Sequence, residues 1–230
     1  NAGQNDDIVL WIGTYGGGLN RFSEKNSKFT VYRHSNNAIH SLRSDKVQVI
    51  YQSKDGVLWL GTSAGLSRFD IRRQSFSHFN HRPQDPASLS HDSVFAILED
   101  SKGVLWVGTK HGLNRFDPTK QNFERFEQFD NGDKNRANQG DSLGQNYIRS
   151  LFEDSHQVLW IGTQGGGLSR YDAAQKVLVR YKHDPTNQDS LSDDRVWSIY
   201  EDRHRALWIG TSNGGLNKID KNKQSFSHIN

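Results

Sequence analysis

Cysteine and methionine are both missing from the 230 residues, and only four positions are proline. Without cysteine the chain has no disulfide, no zinc–thiolate site and no thiol nucleophile. No apolar run approaches the ~18 residues of a membrane-spanning helix, and no leader with a charged start, apolar middle and small-residue cleavage site is present. The chain opens on Asn1 rather than methionine, which we read as the mark of a processed or excised segment of something longer. Charge of one sign is also scarce: 29 Lys and Arg stand against 26 Asp and Glu, a formal +3 with the signs interspersed. With no basic run to follow a phosphate backbone, nucleic acid is excluded as an expected partner. Helical periodicity of useful length is missing too. Only 33% of residues are hydrophobic and 11% are aromatic, so the core has to lean on Trp, Phe and Tyr.

What is present is repetition. The string Leu-Trp-x-Gly-Thr occurs at residues 10–14, 58–62, 105–109, 159–163 and 207–211. Its tryptophans, Trp11, Trp59, Trp106, Trp160 and Trp208, are spaced 48, 47, 54 and 48 apart. Each unit reads as four short strands. A Val/Ile-led strand comes first, at 47–51, 94–98, 148–152 and 196–200. A polar turn and the Leu-Trp strand follow. A glycine turn leads to the third strand (19–22, 66–69, 113–116, 168–171, 216–219). The fourth carries an apolar pair three apart: Phe29/Tyr32, Phe76/Phe79, Phe123/Phe126, Leu178/Tyr181 and Phe226/Ile229. A polar loop ending in Ser-Leu closes the unit. A period near 48 with four strands per unit predicts an all-β propeller of four-stranded antiparallel blades. The units run approximately over 1–34, 41–81, 88–128, 142–183 and 190–230.

The Leu-Trp strand is nearly continuous in apolar character, which suits burial on both faces between neighbouring blades. Trp and Gly stand two apart and so share a face. We expect Gly13, Gly61, Gly108, Gly162 and Gly210 to make room for a bulky group of the next blade. The glycines after the threonine serve a turn; no helix follows to turn them into a phosphate cradle.

At these residues the chain resembles the two-component regulator propeller repeat, whose pattern is close to SLSxNxVxxIxEDxxGxLWIGTxxGGLxRYD. Residues 190–220, SLSDDRVWSIYEDRHRALWIGTSNGGLNKID, follow it almost throughout. The resemblance implies the extracytoplasmic, periplasmic input module of a bacterial membrane sensor. Such a module stands ahead of a histidine kinase, a hybrid kinase-regulator or a diguanylate cyclase. Several members of that family sense products of polysaccharide breakdown. WD repeats, kelch repeats and the glycosidase Asp-box fit less well: no Trp-Asp dipeptide occurs, the units at 63–66 and 110–113 lack the glycine pair, and Asp55 and Gly56 are adjacent. Two departures stand out. Five Leu-Trp strands accompany only four first strands, so we expect a slice of a larger, seven-bladed ring, with an unpaired edge through which a homodimer can form. The 54-residue unit carries a polar insertion at 127–141, either a neutral surface loop or one facing a ligand or partner.

No cofactor is implied, and none of the ten histidines has a metal-ligand spacing. The recurring Glu-Asp turns (Glu99-Asp100, Glu153-Asp154, Glu201-Asp202) read as turn formers, because a catalyst needs one asymmetric site. We therefore expect no catalytic residue. Where the repeat-invariant positions are scaffold, a site has to come from positions that differ between units. On the end carrying the loops between strands two and three, these are Tyr15, Lys110, His111, Gln164 and Asn213. After the first-strand Val/Ile they are Gln48, Phe95, Arg149 and Trp197. An Arg that donates and a Trp that stacks suit a sugar or a carboxylate; the same two side chains could also serve simply to plug the channel or pack between blades. A small-molecule or oligosaccharide sensor is the expectation. A propeller lyase or glycan-active enzyme, and a protein-interaction scaffold, remain alternatives.

Overall fold

The computed structural model describes residues 7–38, 40–126, 147–172, 177–220 and 225–229. The insertion expected at 127–141 lies outside them. Among the described residues all regular structure is strand. β1 (Val9–Gly13), β2 (Leu19–Ser23) and β3 (Lys28–Tyr32) form a three-stranded sheet; β4 (Val47–Gln52), β5 (Leu58–Thr62), β6 (Gly65–Asp70) and β7 (Ser75–Phe79) form the second. The third holds β8 (Val94–Glu99), β9 (Leu105–Thr109), β10 (Gly112–Asp117) and β11 (Asn122–Phe126). β12 (Ile148–Glu153), β13 (Leu159–Thr163), β14 (Leu168–Asp172) and β15 (Val177–Tyr181) make the fourth, and β16 (Val196–Glu201), β17 (Leu207–Thr211), β18 (Leu216–Asp220) and β19 (Ser225–Ile229) the fifth. Each sheet is an antiparallel meander in chain order, the propeller blade expected from the repeat. The chain divides into two compact units, Asn1–His81 with Asp92–Val94, and Arg82–His91 with Phe95–Asn230. The first contains blades one and two, and the second contains nearly all of blades three, four and five.

The invariant Gly is a socket. A Cβ built on Gly162 would stand 2.6 Å from Cγ1 of Val196, the first residue of the next blade's inner strand. Gly108 meets Cγ2 of Ile148 at 2.5 Å, Gly61 meets Cγ1 of Val94 at 2.7 Å and Gly13 meets Cγ1 of Val47 at 2.7 Å. The expected wedge is thus a first-strand Val or Ile. The tryptophan beside each socket faces the same layer: Trp160 packs with Val196, Leu207, Ile209 and Phe226 of blade five, and Trp106 with Ile148, Leu159 and Ile161 of blade four. All five residues of β5, β9 and β13 are buried, as a strand covered on both faces requires. Burying such an indole contributes on the order of 4–6 kcal/mol as an upper figure.

Hydrogen bonds explain the remaining repeat positions. The turn aspartate clasps the tryptophan of its own blade: Nε1 of Trp106, Trp160 and Trp208 donates to Oδ2 of Asp100, Asp154 and Asp202 at 2.9, 3.0 and 2.9 Å. The other carboxylate oxygen accepts two backbone N–H groups of the turn. The preceding glutamate reaches back to the previous blade, Glu153 accepting from Ser101 N (2.6 Å) and Glu201 from Ser155 N (2.7 Å). The Asp55 turn is a plain hairpin, its carboxylate taking the Ser53 hydroxyl and the Val57 N–H. In the Ser-Leu pair the leucine is fully buried (Leu42, Leu89, Leu191) and the serine hydroxyl closes its loop, as Ser88 does on Arg82 N. The loop then lies along the blade's outer strand, with Phe123 N donating to the Ala87 carbonyl and Phe226 N to that of Asp189. This covers an edge that would otherwise be open to pairing. The threonine hydroxyl closes the glycine turn, Thr163 donating to the Gly167 carbonyl at 2.9 Å. At Gly167, with φ of +80°, a Cβ would lie 2.2 Å from the Tyr181 carbonyl oxygen, so the turn admits only glycine.

Candidate functional site

The inner strands are irregular at one recurring place. The register against the second strand skips between Ile148 and Ser150, between Val196 and Ser198, and between Val47 and Val49. A bulge leaves one residue unpaired and re-aims its side chain. The residues so treated are Arg149, Trp197 and Gln48, three of the variable positions; Phe95 holds the equivalent place in β8.

Three of the four come together in the second unit. The Arg149 guanidinium carbon lies 3.9 Å from the centre of the Trp197 ring and 5.2 Å from that of Phe95. A third ring, Tyr147, lies at 5.5 Å, and its hydroxyl accepts a 3.0 Å hydrogen bond from Arg149 Nη1. Phe95 and Tyr147 touch, with centroids 4.5 Å apart. Blades three, four and five thus supply an aromatic enclosure around one cation. Each such contact is worth about 0.5–2 kcal/mol, more as water is excluded. Trp197 remains 48% exposed, so the enclosure opens to solvent. Among the described residues, no carboxylate lies within ion-pair distance of Arg149.

The other variable residues are held by neighbours at the strand-two to strand-three loops. Gln164 N donates to the Tyr147 carbonyl at 2.9 Å, which ties this loop to the entry of the inner strand. Ser212 N does the same to Arg195, and Ser63 N to Lys46, so both loop sets share one end of each blade, as expected. Asn213 N donates to Asp193, which also holds Arg195 at 3.1 Å. Burial opposes ionisation of Asp193, but the Arg195 guanidinium and the N–H groups of Arg195 and Asn213 outweigh it and hold its carboxyl below the usual range. His111 packs edge-on against His91 at 4.5 Å, and Lys110 is exposed. Tyr15 and Gln48 belong to the first unit. Tyr15 is 78% exposed with Lys46 Nζ 5.1 Å from its ring centre, and the buried Oε1 of Gln48 has no partner among the described residues.

Tyr147, Arg195 and His91 are additions to the set read from the sequence. A signal for two of them was available: the position before the first-strand Val/Ile also varies between units, reading Lys46, Ser93, Tyr147 and Arg195. Asp154, His156 and Glu201 bring one ligand atom each within 4.8 Å of one another. Both carboxylates are engaged there, Asp154 by Trp160 and Glu201 by Ser155, and the cluster reads as a blade-to-blade clasp. An open groove is lined by Ser198, Tyr200, Trp208, Gly210 and Leu216 of blade five. Those are the packing positions that blade four presents to blade five, so the groove is a blade-stacking surface rather than a ligand pocket.

Four segments, 41–64, 88–111, 142–165 and 190–213, match the family described as two component regulator propeller. No curated protein sequence matches the chain. Among solved structures, the extracellular domain of a hybrid two-component system from B. thetaiotaomicron is 25% identical with a TM-score of 0.74; the match covers 98% of this chain and 27% of that one. PorZ, a surface component of the type-IX secretion system of Porphyromonas gingivalis, shares the fold at 20% identity and a TM-score of 0.72, over 98% of this chain and 33% of its own. Virginiamycin B lyase from Staphylococcus aureus does so at 15% and 0.68, over 98% and 67%. The chain therefore spans about a quarter of the length of the extracellular domain it matches. Repeat, blades and matches agree: the chain is a β-propeller, and four of its segments match the two component regulator propeller family.

Proposed function

We propose that this chain is the ligand-sensing part of a bacterial membrane signalling protein, that it works in the periplasm, and that it binds rather than transforms its ligand. The observation that carries the reading is the Arg149 enclosure. The repeat demands neither a cation nor a ring at these variable positions, yet Phe95, Tyr147, Arg149 and Trp197 converge. A stacking ring beside a guanidinium that no carboxylate pairs among the described residues suits a small molecule, and an oligosaccharide in particular. The output domains, a kinase or cyclase, would lie elsewhere in the same protein. The sensor-domain match supports this reading, and among the described residues no helix is long and apolar enough to cross a membrane. The lyase likeness, at 15% identity, speaks for the fold alone.

Calorimetric titration with a panel of neutral and acidic oligosaccharides and small acids tests the site. We expect Arg149→Ala and Trp197→Ala each to weaken binding by about 1–3 kcal/mol, with circular dichroism confirming that each variant is folded at the titration temperature. A ligand whose affinity ignores both substitutions refutes the site.

A further inference from the structure

The geometry points to a ring-bearing carboxylate as the ligand of the Arg149 site, an inference that rests on the ligand-site reading above. A guanidinium has five N–H donors in one plane and no acceptor. In Arg149 one donor is spent on the Tyr147 hydroxyl, and aromatic rings within 3.9–5.5 Å crowd the guanidinium. Four donors remain, enough for a fork that matches the two oxygens of a carboxylate. The rings make the fork drier, which strengthens a charge-assisted bond, and Trp197, half exposed, offers its surface to whatever ring carries the acid. Asp193, at the entry to the inner strand of blade five, is paired with Arg195 and the Asn213 N–H. A neutral sugar would leave the fork's charge unanswered. A ring carrying a carboxylate uses both the fork and the rings.

Two sources supply that chemistry, a uronic-acid oligosaccharide or an aromatic acid, and matched titrations separate them. The probes are digalacturonate and 4-hydroxybenzoate, each beside its methyl ester, which keeps the ring and removes the charge. We expect one of the two acids to bind the wild-type chain about tenfold or more tighter than its ester. Arg149→Gln should abolish that preference, and Arg149→Lys, whose ammonium keeps the charge but lacks the planar fork, should reduce it. The acid–ester comparison uses the unaltered protein and so stands even where a variant folds poorly. Equal binding of acid and ester, with affinity still dependent on Trp197, overturns the carboxylate and leaves the ligand site in place. Failure of both acids while neutral oligosaccharides bind overturns it in the same way. Failure of every probe overturns both readings.

Discussion

Trp160 is 2% exposed, and its indole N–H is held by Asp154 at 3.0 Å. Trp160→Ala removes the largest buried side chain of the blade four–blade five layer and leaves a buried carboxylate oxygen without its donor. It should cost about 3–5 kcal/mol, read as a fall of several degrees in the thermal melt; a shift of under a degree or two would refute the packing account. Asp202 makes the same clasp at the solvent edge. The Trp208 indole and the Ala206 N–H bonded to its carboxylate lower its pKa from the ordinary 3.8. A carboxyl whose folded pKa is lowered stabilises the fold above 3.8 and loses that contribution as pH falls through the lowered value. Asp202→Asn should therefore lower the melting temperature near neutrality, where the carboxylate makes its contribution, and change it little at pH values below the lowered pKa, so that the acid limb flattens. An unchanged acid limb would remove the clasp from the account. The tryptophans were legible in the sequence because they recur, but their aspartates were legible only as turn formers. A partner six residues away across a hairpin has no pattern of its own.

A blade is held to the next by a glycine and a branched side chain. A methyl group on Gly162 would stand 2.2 Å from Ser150 Oγ and 2.6 Å from Val196 Cγ1; on Gly210 it would meet only Ser198 of its own blade within 4 Å. Gly162→Ala should cost about 1–3 kcal/mol, and Val196→Ala in the same chain should recover part of it, a coupling that a double-mutant cycle reads directly. Gly210→Ala serves as the internal comparison and should cost less. Equal losses at the two glycines would break the socket argument. The socket was legible as a need for space, from the two-residue spacing of Trp and Gly. The identity of the wedge was not, because it comes from the following unit and spacing within one unit cannot name it. The same holds for the site: variability after the first-strand Val/Ile picked out Arg149, Trp197 and Phe95, and the variable position before it held Tyr147, but the bulge that turns Arg149 toward these rings has no residue pattern of its own.

At the scale of the molecule, blade five leaves apolar groups uncovered: Tyr200 is 62% exposed, Leu216 38% and Ile229 47%. On blade four the matching face is sealed, with Leu168 fully buried. Exposed apolar area of this kind drives association. Tyr200→Glu with Leu216→Glu should lower concentration-dependent self-association in sedimentation velocity without lowering the melting temperature; unchanged association would place the sticky surface elsewhere. The two-unit division follows from contacts between blades and was not written in the repeat, whose units look alike throughout.

The locks between blades point one way. Gly13, Gly61, Gly108 and Gly162 are filled from the blade that comes later in the chain, and Glu153 and Glu201 reach back to turns made earlier. A ribosome therefore releases each socket before its wedge. A finished blade waits with a shaped cleft while the next emerges, and the incoming Val or Ile needs only to find a site already formed. The order of synthesis is then the order of docking, and the nascent chain is never asked to hold a wedge without its cleft.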